Sequence, residues 1–237
     1  MTSTDEDDFV RYFPELAYLI FEQQFSRFIN SPQNTNATSF DVDKKITLAW
    51  ESLRLRYRTA DAASLKFKSL WIEHGNEAKD FNLYLQEREF YSFLCNTLAC
   101  VETGCYALYV LASKFDKKLL GNKPTSNLRQ ISIVNCKKRL AIVGTPAHLE
   151  KYFAKLLMDE TFKELSELRE ISSHRVVMSR AANGGADAPN KTELDLPDTR
   201  IPLDEEFTEV RQLWLSRVVF AIIGQADLIL GAAGVPY

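Results

Sequence analysis

The stretch from Phe162 to Arg180 reads FKELSELREISSHRVVMSR, and the rest of the chain is interpreted around it. Its apolar residues recur every three positions, as expected for one buried stripe of an amphipathic helix. They are Phe162, Leu165, Leu168 and Ile171. Asp159 is a candidate cap for its start, and the Asn-Gly-Gly of residues 183–185 is a typical helix end. The pattern therefore predicts one helix across this stretch.

Two residues inside the predicted helix carry chemistry: Arg169 and His174, separated by four residues. One interpretation makes both of them surface ion-pair partners. His174 then pairs with Glu170 one turn earlier, and Arg169 pairs with Glu164 or Glu167. The other interpretation makes them an active-site pair. The spacing alone leaves both interpretations open.

Length, apolar content and net charge limit the classes of protein to which this chain can belong. A chain of 237 residues with 46% apolar residues is long enough to bury a sizeable core as one large domain. The net charge of −3 argues against the broad basic face of a general RNA-coating protein. An enzyme with one local basic cleft is compatible with that charge.

The four cysteines lack CxxC spacing and lie among apolar residues; they are Cys95, Cys100, Cys105 and Cys136. We interpret them as reduced, buried thiols, which favours the cytoplasm. The acidic start does not resemble a signal peptide, and we expect no apolar run of membrane-spanning length. No set of His, Cys, Asp and Glu has metal-ligand spacing, so the sequence predicts neither a metal nor another cofactor.

The coarse pattern predicts an all-α fold, a helical bundle with four to five long core helices and long polar loops. Helices are expected at about 5–28, 43–58, 60–75, 77–115, 146–158, 162–180 and 204–230, with a possible break near 87–91. The segments 30–39, 121–127 and 183–202 are predicted loops because they are rich in turn-forming residues. The segment 131–143 fits a short helix or a strand. His148 is expected to be exposed.

The longest predicted helix contains the central seam of the bundle. Apolar residues alternate steps of four and three along it: Leu94, Leu98, Val101, Cys105, Leu108 and Ala112. Gly104 is expected to permit close approach of another helix. Glu102 lies beside this seam, where a buried carboxylate would need a partner. It either forms a salt bridge to a neighbouring helix or orients Arg169 or His174.

The Arg-x4-His spacing in this all-helical setting resembles the HEPN superfamily, small helical domains that include many metal-independent RNases. In that fold the motif lies on a late core helix, as Arg169-Glu-Ile-Ser-Ser-His174 does here. The long helix containing residues 94–115 is similar to the second major helix of the family. The resemblance implies one HEPN-like domain over 1–237, with its core at about 77–230 and N-terminal helices 1–75 packed on it.

The resemblance implies RNA cleavage in which His174 moves a proton and Arg169 stabilises the phosphate. Glu170 and Ser173 would support the pair, and Ser172 and Arg175 are candidates for phosphate contact. The serines equally fit a plain helix surface. Many family members have Asn, Asp or His where this chain has Glu170. An acid there would either hold His174 in place or repel an incoming phosphate.

Five residues turn an ideal helix by about 140°, so one helix does not present both side chains as a tight pair. The resemblance implies a solution, in which two protomers line one cleft with both motifs. The apolar helices at 94–115 and 207–230 also favour a homodimer. Many family members act as toxins or antiphage effectors, which implies an RNA substrate and an antitoxin or regulatory protein. The alternative function is an inactive module that binds nucleic acid, nucleotide or a protein.

Overall fold

The computed structural model describes residues 19, 22–23, 26, 39–115, 119, 132–144, 146–173, 180–183, 191–195 and 200–233. Six α-helices lie in these ranges: α1 (Ser39–His74), α2 (Asp80–Phe115), α3 (Ile133–Val143), α4 (Ala147–Met158), α5 (Glu160–Ser173) and α6 (Phe207–Ala232). A short 3-10 helix, Gly75–Glu77, separates α1 from α2. The protein is an all-α helical bundle, as predicted. Most of the expected first helix lies outside the described residues.

Helix α1 replaces the two helices expected at 43–58 and 60–75. No glycine or proline interrupts residues 39–74, so the helix continues for 36 residues. It ends at His74, as predicted, and Gly75 follows with a φ of 56°. Glycine commonly takes this left-handed conformation after a helix. Helix α2 is likewise unbroken across residues 87–91.

The segment 131–143, which the sequence left undecided, contains helix α3. The hydroxyl of Ser132 accepts a hydrogen bond from the backbone N–H of Asn135 at 3.2 Å, which caps the helix start. At the other end Gly144 has a φ of 77°, and its N–H donates to the carbonyl of Leu140. Both signals are local, and they override the β-branched residues of the segment.

A small antiparallel sheet follows the segment that was expected to continue as helix to Arg180. Its strands are β1 (Arg180–Asn183), β2 (Lys191–Asp195) and β3 (Arg200–Leu203), in the order β1-β2-β3. The prediction of one loop across 183–202 was therefore wrong. Leu194 pairs with Ile201, and both are buried together with Leu203. These three apolar side chains anchor the sheet despite the polar composition around them.

The chain divides into two compact units. The first comprises Met1–Leu55, Ala99–Asp159 and Leu215–Tyr237, and the second comprises Arg56–Leu98 and Glu160–Trp214. Each of α1, α2 and α6 contributes residues to both units.

The first unit is built around Gly104 of α2. A Cβ atom at this position would lie 2.5 Å from Ile222 of α6 and 2.6 Å from Leu53 of α1, so the absence of a side chain lets the helices approach. The predicted close approach at Gly104 is thus confirmed. Lys114 forms a buried ion pair with Asp43, which joins α2 to α1 by a second, polar contact.

The second unit has an aromatic core. The rings of Phe67 and Phe90 are 5.5 Å apart and those of Phe90 and Phe207 are 5.3 Å apart, which joins α1, α2 and α6. The buried side chain of Gln86 donates to the carbonyls of Leu70 (3.1 Å) and Gly75 (3.0 Å). These bonds join the last turns of α1 and the following 3-10 helix to α2.

The predicted seam on α2 is confirmed, since all six of its residues are at most 3% exposed. On α5 the predicted stripe is also confirmed: Leu165 and Leu168 are fully buried, and Phe162 and Ile171 are half-buried. Helix α6 leaves two of its large apolar side chains, Val210 and Phe220, exposed.

Two helices, α2 and α6, are long and apolar enough to cross a membrane by length and composition. The expectation that no run reaches that length was wrong on this criterion. The most apolar window of α2 is 72% buried within the fold, and that of α6 is 44% buried. Mostly buried core helices of bundles have the same length and composition.

Candidate functional site

Arg169 lies near the C-terminal end of helix α5, within the second unit. It is half-buried, because the same helix buries Leu168 and Leu165 against the core. Ser173 is the last described residue of this helix. His174 and Arg175 lie outside the described residues, as does the side chain of Ser173. The catalytic role of the Arg169–His174 pair therefore stays a prediction.

The charge of Arg169 acts on Tyr91 of helix α2. A hydrogen bond with Cys95 raises the pKa of Tyr91, and the nearby guanidinium of Arg169 opposes this shift. Tyr91 is 44% exposed, so this is an electrostatic contact at the surface of the second unit. Tyr91 could not be associated with Arg169 from the sequence, since only the fold brings α2 and α5 together.

The supporting residues differ in their surroundings. Glu170 is exposed, directly after Arg169 on α5. The hydroxyl of Ser172 donates to the carbonyl of Arg169 at 3.0 Å. This bond is the one expected of a serine on a helix surface, and it leaves the oxygen lone pairs of Ser172 able to accept another donor.

Glu102 was considered as a buried carboxylate beside the seam of α2. The structure places it in the first unit with an exposed side chain, so the premise of burial was wrong. Position 102 lies about 100° around the helix from Val101 and about 60° from Cys105, at the edge of the buried seam where side chains face solvent. An exposed carboxylate needs no buried cation, which removes the argument that led to Glu102.

Two of the three histidines are described. His74 ends α1 and lies 3.5 Å from the carboxylate of Glu73. His148, in the first turn of α4, was expected to be exposed but is half-buried. Its Nε2 atom is buried and has no hydrogen-bond partner within the part of the chain that the structure describes, and burial lowers the pKa of the imidazole. The side chain therefore prefers to be neutral in the folded protein.

The cysteines match their predicted state. All four are free; Cys100, Cys105 and Cys136 are buried, and Cys95 is half-buried. Burial raises the pKa of Cys136 to about 12 and also raises that of Cys105. Thiols in this environment remain protonated and unreactive near neutral pH.

Among the described residues, no three His, Cys, Asp or Glu side chains converge as metal ligands do. Neither family models, nor curated proteins, nor solved structures gave a match to this chain. The likeness to HEPN domains accordingly rests on the Arg-x4-His spacing and its helical setting.

Proposed function

We propose that this protein is a metal-independent endoribonuclease of HEPN type that acts as a homodimer in the cytoplasm. The observation that supports the proposal best is the position of Arg169: half-buried near the end of α5, five residues before His174, in an all-α fold. Buried Leu165 and Leu168 anchor the helix that carries Arg169, so the backbone at this position is fixed by packing. Such fixed positioning is what stabilisation of a charged transition state requires.

The proposed reaction uses the RNA itself as the nucleophile. One His174 removes the proton of the 2′-hydroxyl, whose oxygen attacks the adjacent phosphorus. The bond from phosphorus to the 5′-oxygen then breaks, and a second His174, from the partner protomer, gives that oxygen a proton. Arg169 stabilises the negative charge on the phosphorane. The products carry a 2′,3′-cyclic phosphate and a 5′-hydroxyl.

The test is cleavage of labelled RNA in the presence of EDTA by the wild type and by two variants, Arg169→Ala and His174→Ala. Each substitution is expected to slow cleavage by about 100-fold or more, the usual scale for such groups. RNA with a 2′-deoxy sugar at the scissile position is expected to resist cleavage, since it lacks the attacking oxygen.

Lys163→Ala is the matched control for the loss of a positive charge. Lys163 lies on the same helix, is exposed, and pairs at 2.8 Å with Glu160. It is expected to leave the rate unchanged. Cleavage that survives His174→Ala would place the active site elsewhere, and loss of cleavage in EDTA restored by Mg²⁺ would contradict the metal-independent mechanism.

The alternative proposal is a HEPN-like module without catalysis that binds nucleic acid, nucleotide or a protein. The exposed carboxylate of Glu170 beside Arg169 favours it, because a negative charge there repels phosphate. Glu170→Asn tests this repulsion directly. Gain of RNA cleavage in this variant would assign inhibition to Glu170, whereas a wild type that binds RNA through Arg169 and cuts nothing would support the inactive module. A role as toxin or antiphage effector, controlled by an antitoxin or regulatory protein, belongs to the nuclease proposal.

A further inference from the structure

Helices α3 and α4 carry an excess of positive charge. Residues 132–159 contain five basic and two acidic residues, a net charge of +3 within a chain whose net charge is −3. The basic residues are Lys137, Lys138, Arg139, Lys151 and Lys155, and the acidic ones are Glu150 and Asp159. The two helices pack against each other within the first unit. We call residues 132–159 the basic hairpin.

The inner side of the basic hairpin is attached to the core of the first unit. Arg139 donates to the carbonyl of Leu119 at 2.7 Å, and the hydroxyl of Tyr109 on α2 donates to the same carbonyl. The hydroxyl of Tyr152 on α4 donates to the carbonyl of Val218 on α6 at 3.4 Å. Buried residues of both helices complete this side: Ile133, Cys136, Leu140, Leu149, Phe153 and Leu156. The opposite sides of α3 and α4 therefore face solvent.

The outward side of α3 places a lysine between two aliphatic side chains. Val134, Lys138 and Ile142 are spaced four residues apart, so they fall within about 80° of the helix circumference. Val134 is 44% exposed and Ile142 is 84% exposed, and Lys138 is exposed between them. This side of the helix is therefore apolar and positively charged at once.

The outward side of α4 has the same character. Lys151, Lys155 and Met158 fall within about 60° of its circumference. All three are exposed, and Met158 is 69% exposed. The ion pairs that described residues form include none of the exposed lysines of α3 and α4. We call these two sides together the outward face; its residues are Val134, Lys138, Ile142, Lys151, Lys155 and Met158.

The outward face discriminates between possible partners. A second copy of the chain placed on it would bring lysines against lysines. RNA would neutralise the lysines, but it would find no aromatic ring for its bases and would leave the aliphatic side chains in water. Protein interfaces collect apolar side chains in a core from which charged residues are depleted, whereas here Lys138 separates Val134 from Ile142.

An anionic lipid bilayer complements both features of the outward face. Its phosphates attract the lysines, while aliphatic side chains enter the boundary between headgroups and acyl chains. The methylene stem of a lysine can lie along that apolar boundary with its ammonium group at the level of the phosphates. A lysine between aliphatic side chains is therefore well placed at a lipid surface.

We propose that the outward face of the basic hairpin attaches this protein reversibly to the surface of an anionic membrane. The attachment is peripheral, because the inner side of the hairpin stays bonded to α2 and α6. Anionic lipids are abundant in the cytoplasmic leaflet, so the proposal agrees with a cytoplasmic location. It does not rest on the proposed nuclease, since no residue of the hairpin takes part in the proposed cleavage.

The test measures sedimentation of the full chain with lipid vesicles. The wild type is expected to sediment with phosphatidylcholine vesicles that contain phosphatidylserine, and to stay in solution with vesicles of phosphatidylcholine alone. Lys151→Gln combined with Lys155→Gln should weaken the binding by about 25-fold, which is about fivefold for each lysine near an anionic surface. Ile142→Ser should weaken it about fivefold through the loss of inserted apolar surface.

Salt separates the two contributions. Raising the salt concentration should reduce the effect of the lysine substitutions, because salt screens their attraction to the lipid. It should leave the effect of Ile142→Ser in place, since insertion of an aliphatic side chain does not depend on charge. Equal binding of the wild type to anionic and neutral vesicles would overturn the proposal.

Lys44→Gln combined with Lys66→Gln is the matched control. Both lysines are exposed on α1, so the double variant loses the same charge outside the basic hairpin. It is expected to bind vesicles as the wild type does, and an equal loss in this control would assign the effect to net charge and overturn the outward face. Circular dichroism checks that each variant keeps its helicity. A wild type that does not sediment with anionic vesicles would also overturn the proposal.

Binding of RNA is measured on the same variants to distinguish the other polyanion. A fluorescent single-stranded oligonucleotide with 2′-O-methyl sugars lacks the attacking hydroxyl, so its anisotropy reports binding without cleavage. The substitutions at Lys151 and Lys155 are expected to weaken vesicle binding more than RNA binding. A loss of RNA affinity with vesicle binding unchanged would overturn the membrane proposal in favour of a nucleic-acid surface.

Discussion

Asp227, near the C-terminal end of α6, carries a buried carboxylate oxygen that has no hydrogen-bond partner among the described residues. Burial raises the pKa of this carboxyl, because the charged form loses hydration. A carboxyl whose pKa is higher in the folded state than in the unfolded state holds its proton better when folded. Its charge therefore costs stability at neutral pH, and the cost disappears as the pH falls below both pKa values.

We expect Asp227→Asn to raise the thermal midpoint at pH 7, by up to about 2 °C for a chain of this size. The gain should shrink as the pH falls from the folded-state pKa towards the lower unfolded-state pKa, where wild-type Asp227 is also neutral. Thermal melts across this pH range measure it. Glu205→Gln, at an exposed position, is the control and should change little. A gain that is constant with pH would mean that charge burial is not the cause.

Single residues show where sequence interpretation succeeds. Leu165 and Leu168 follow a regular spacing, so their burial could be predicted from the sequence. Glu102 and His148 could not be placed, because one step along a helix turns a side chain by about 100°. An error of one residue in the predicted face therefore exchanges exposed and buried positions. The electrostatic effect of Arg169 on Tyr91 depends on long-range packing, which local spacing does not encode.

At the scale of helices, the close approach at Gly104 can be tested by comparing an alanine substitution there with one at Gly224. Gly104→Ala places a methyl group within 2.6 Å of two buried side chains, Ile222 and Leu53. We expect a loss of about 1–3 kcal/mol in the free energy of unfolding, which is the usual cost of overpacking a core. Both neighbouring atoms are ends of side chains, so repacking should keep the variant folded.

Gly224→Ala, on α6, is the matched control because a Cβ atom added there would meet no described atom within 4 Å apart from its own helix backbone. Alanine there should instead stabilise the helix by about 0.5–1 kcal/mol. Urea unfolding followed by circular dichroism measures both variants. Equal effects of the two substitutions would contradict the close approach of helices at Gly104.

The helices were largely predictable, since their stripes extend over many turns. The errors have physical causes. Two helices were predicted at 43–58 and 60–75, although residues 39–74 contain no glycine or proline that would divide continuous helix α1. The segment 131–143 was undecided because its β-branched residues favour a strand, whereas the local signals that start and end helix α3 lie at Ser132 and Gly144. The three strands are four to five residues long, so their alternation of buried residues is too short to stand out from a polar segment.

At the scale of the whole molecule, the predicted homodimer would bury apolar surface that the single chain leaves exposed. The apolar seam of helix α2 is buried within the single chain, so α2 no longer supports the prediction of a homodimer. Helix α6 still exposes Phe220 (46%) and Leu228 (52%), both in the first unit. We expect light scattering at tens of micromolar to give twice the chain mass of 27.1 kDa. The double change Phe220→Ser and Leu228→Ser should shift the protein towards monomer.

Exposed Leu55→Ser on α1 is a control for the general loss of apolar surface, and it should keep the mass of the wild type. A wild type that is monomeric at this concentration would contradict the homodimer. A dimer that persists in the double variant would place the interface on another surface.

The order in which the segments of the two units follow each other along the chain has a consequence for synthesis on the ribosome. The first unit draws on Met1–Leu55 and on Leu215–Tyr237, with the second unit's segments lying between them in the chain. The first unit therefore cannot complete its packing until its last segment has been synthesised. Until α6 emerges from the ribosome, the surface of α2 around Gly104 lacks its contact with Ile222. During that interval the nascent chain exposes apolar helix faces that chaperones recognise. A single cut between residues 56 and 214 would likewise separate segments of chain that belong to one unit, so neither unit can be expressed as one uninterrupted fragment.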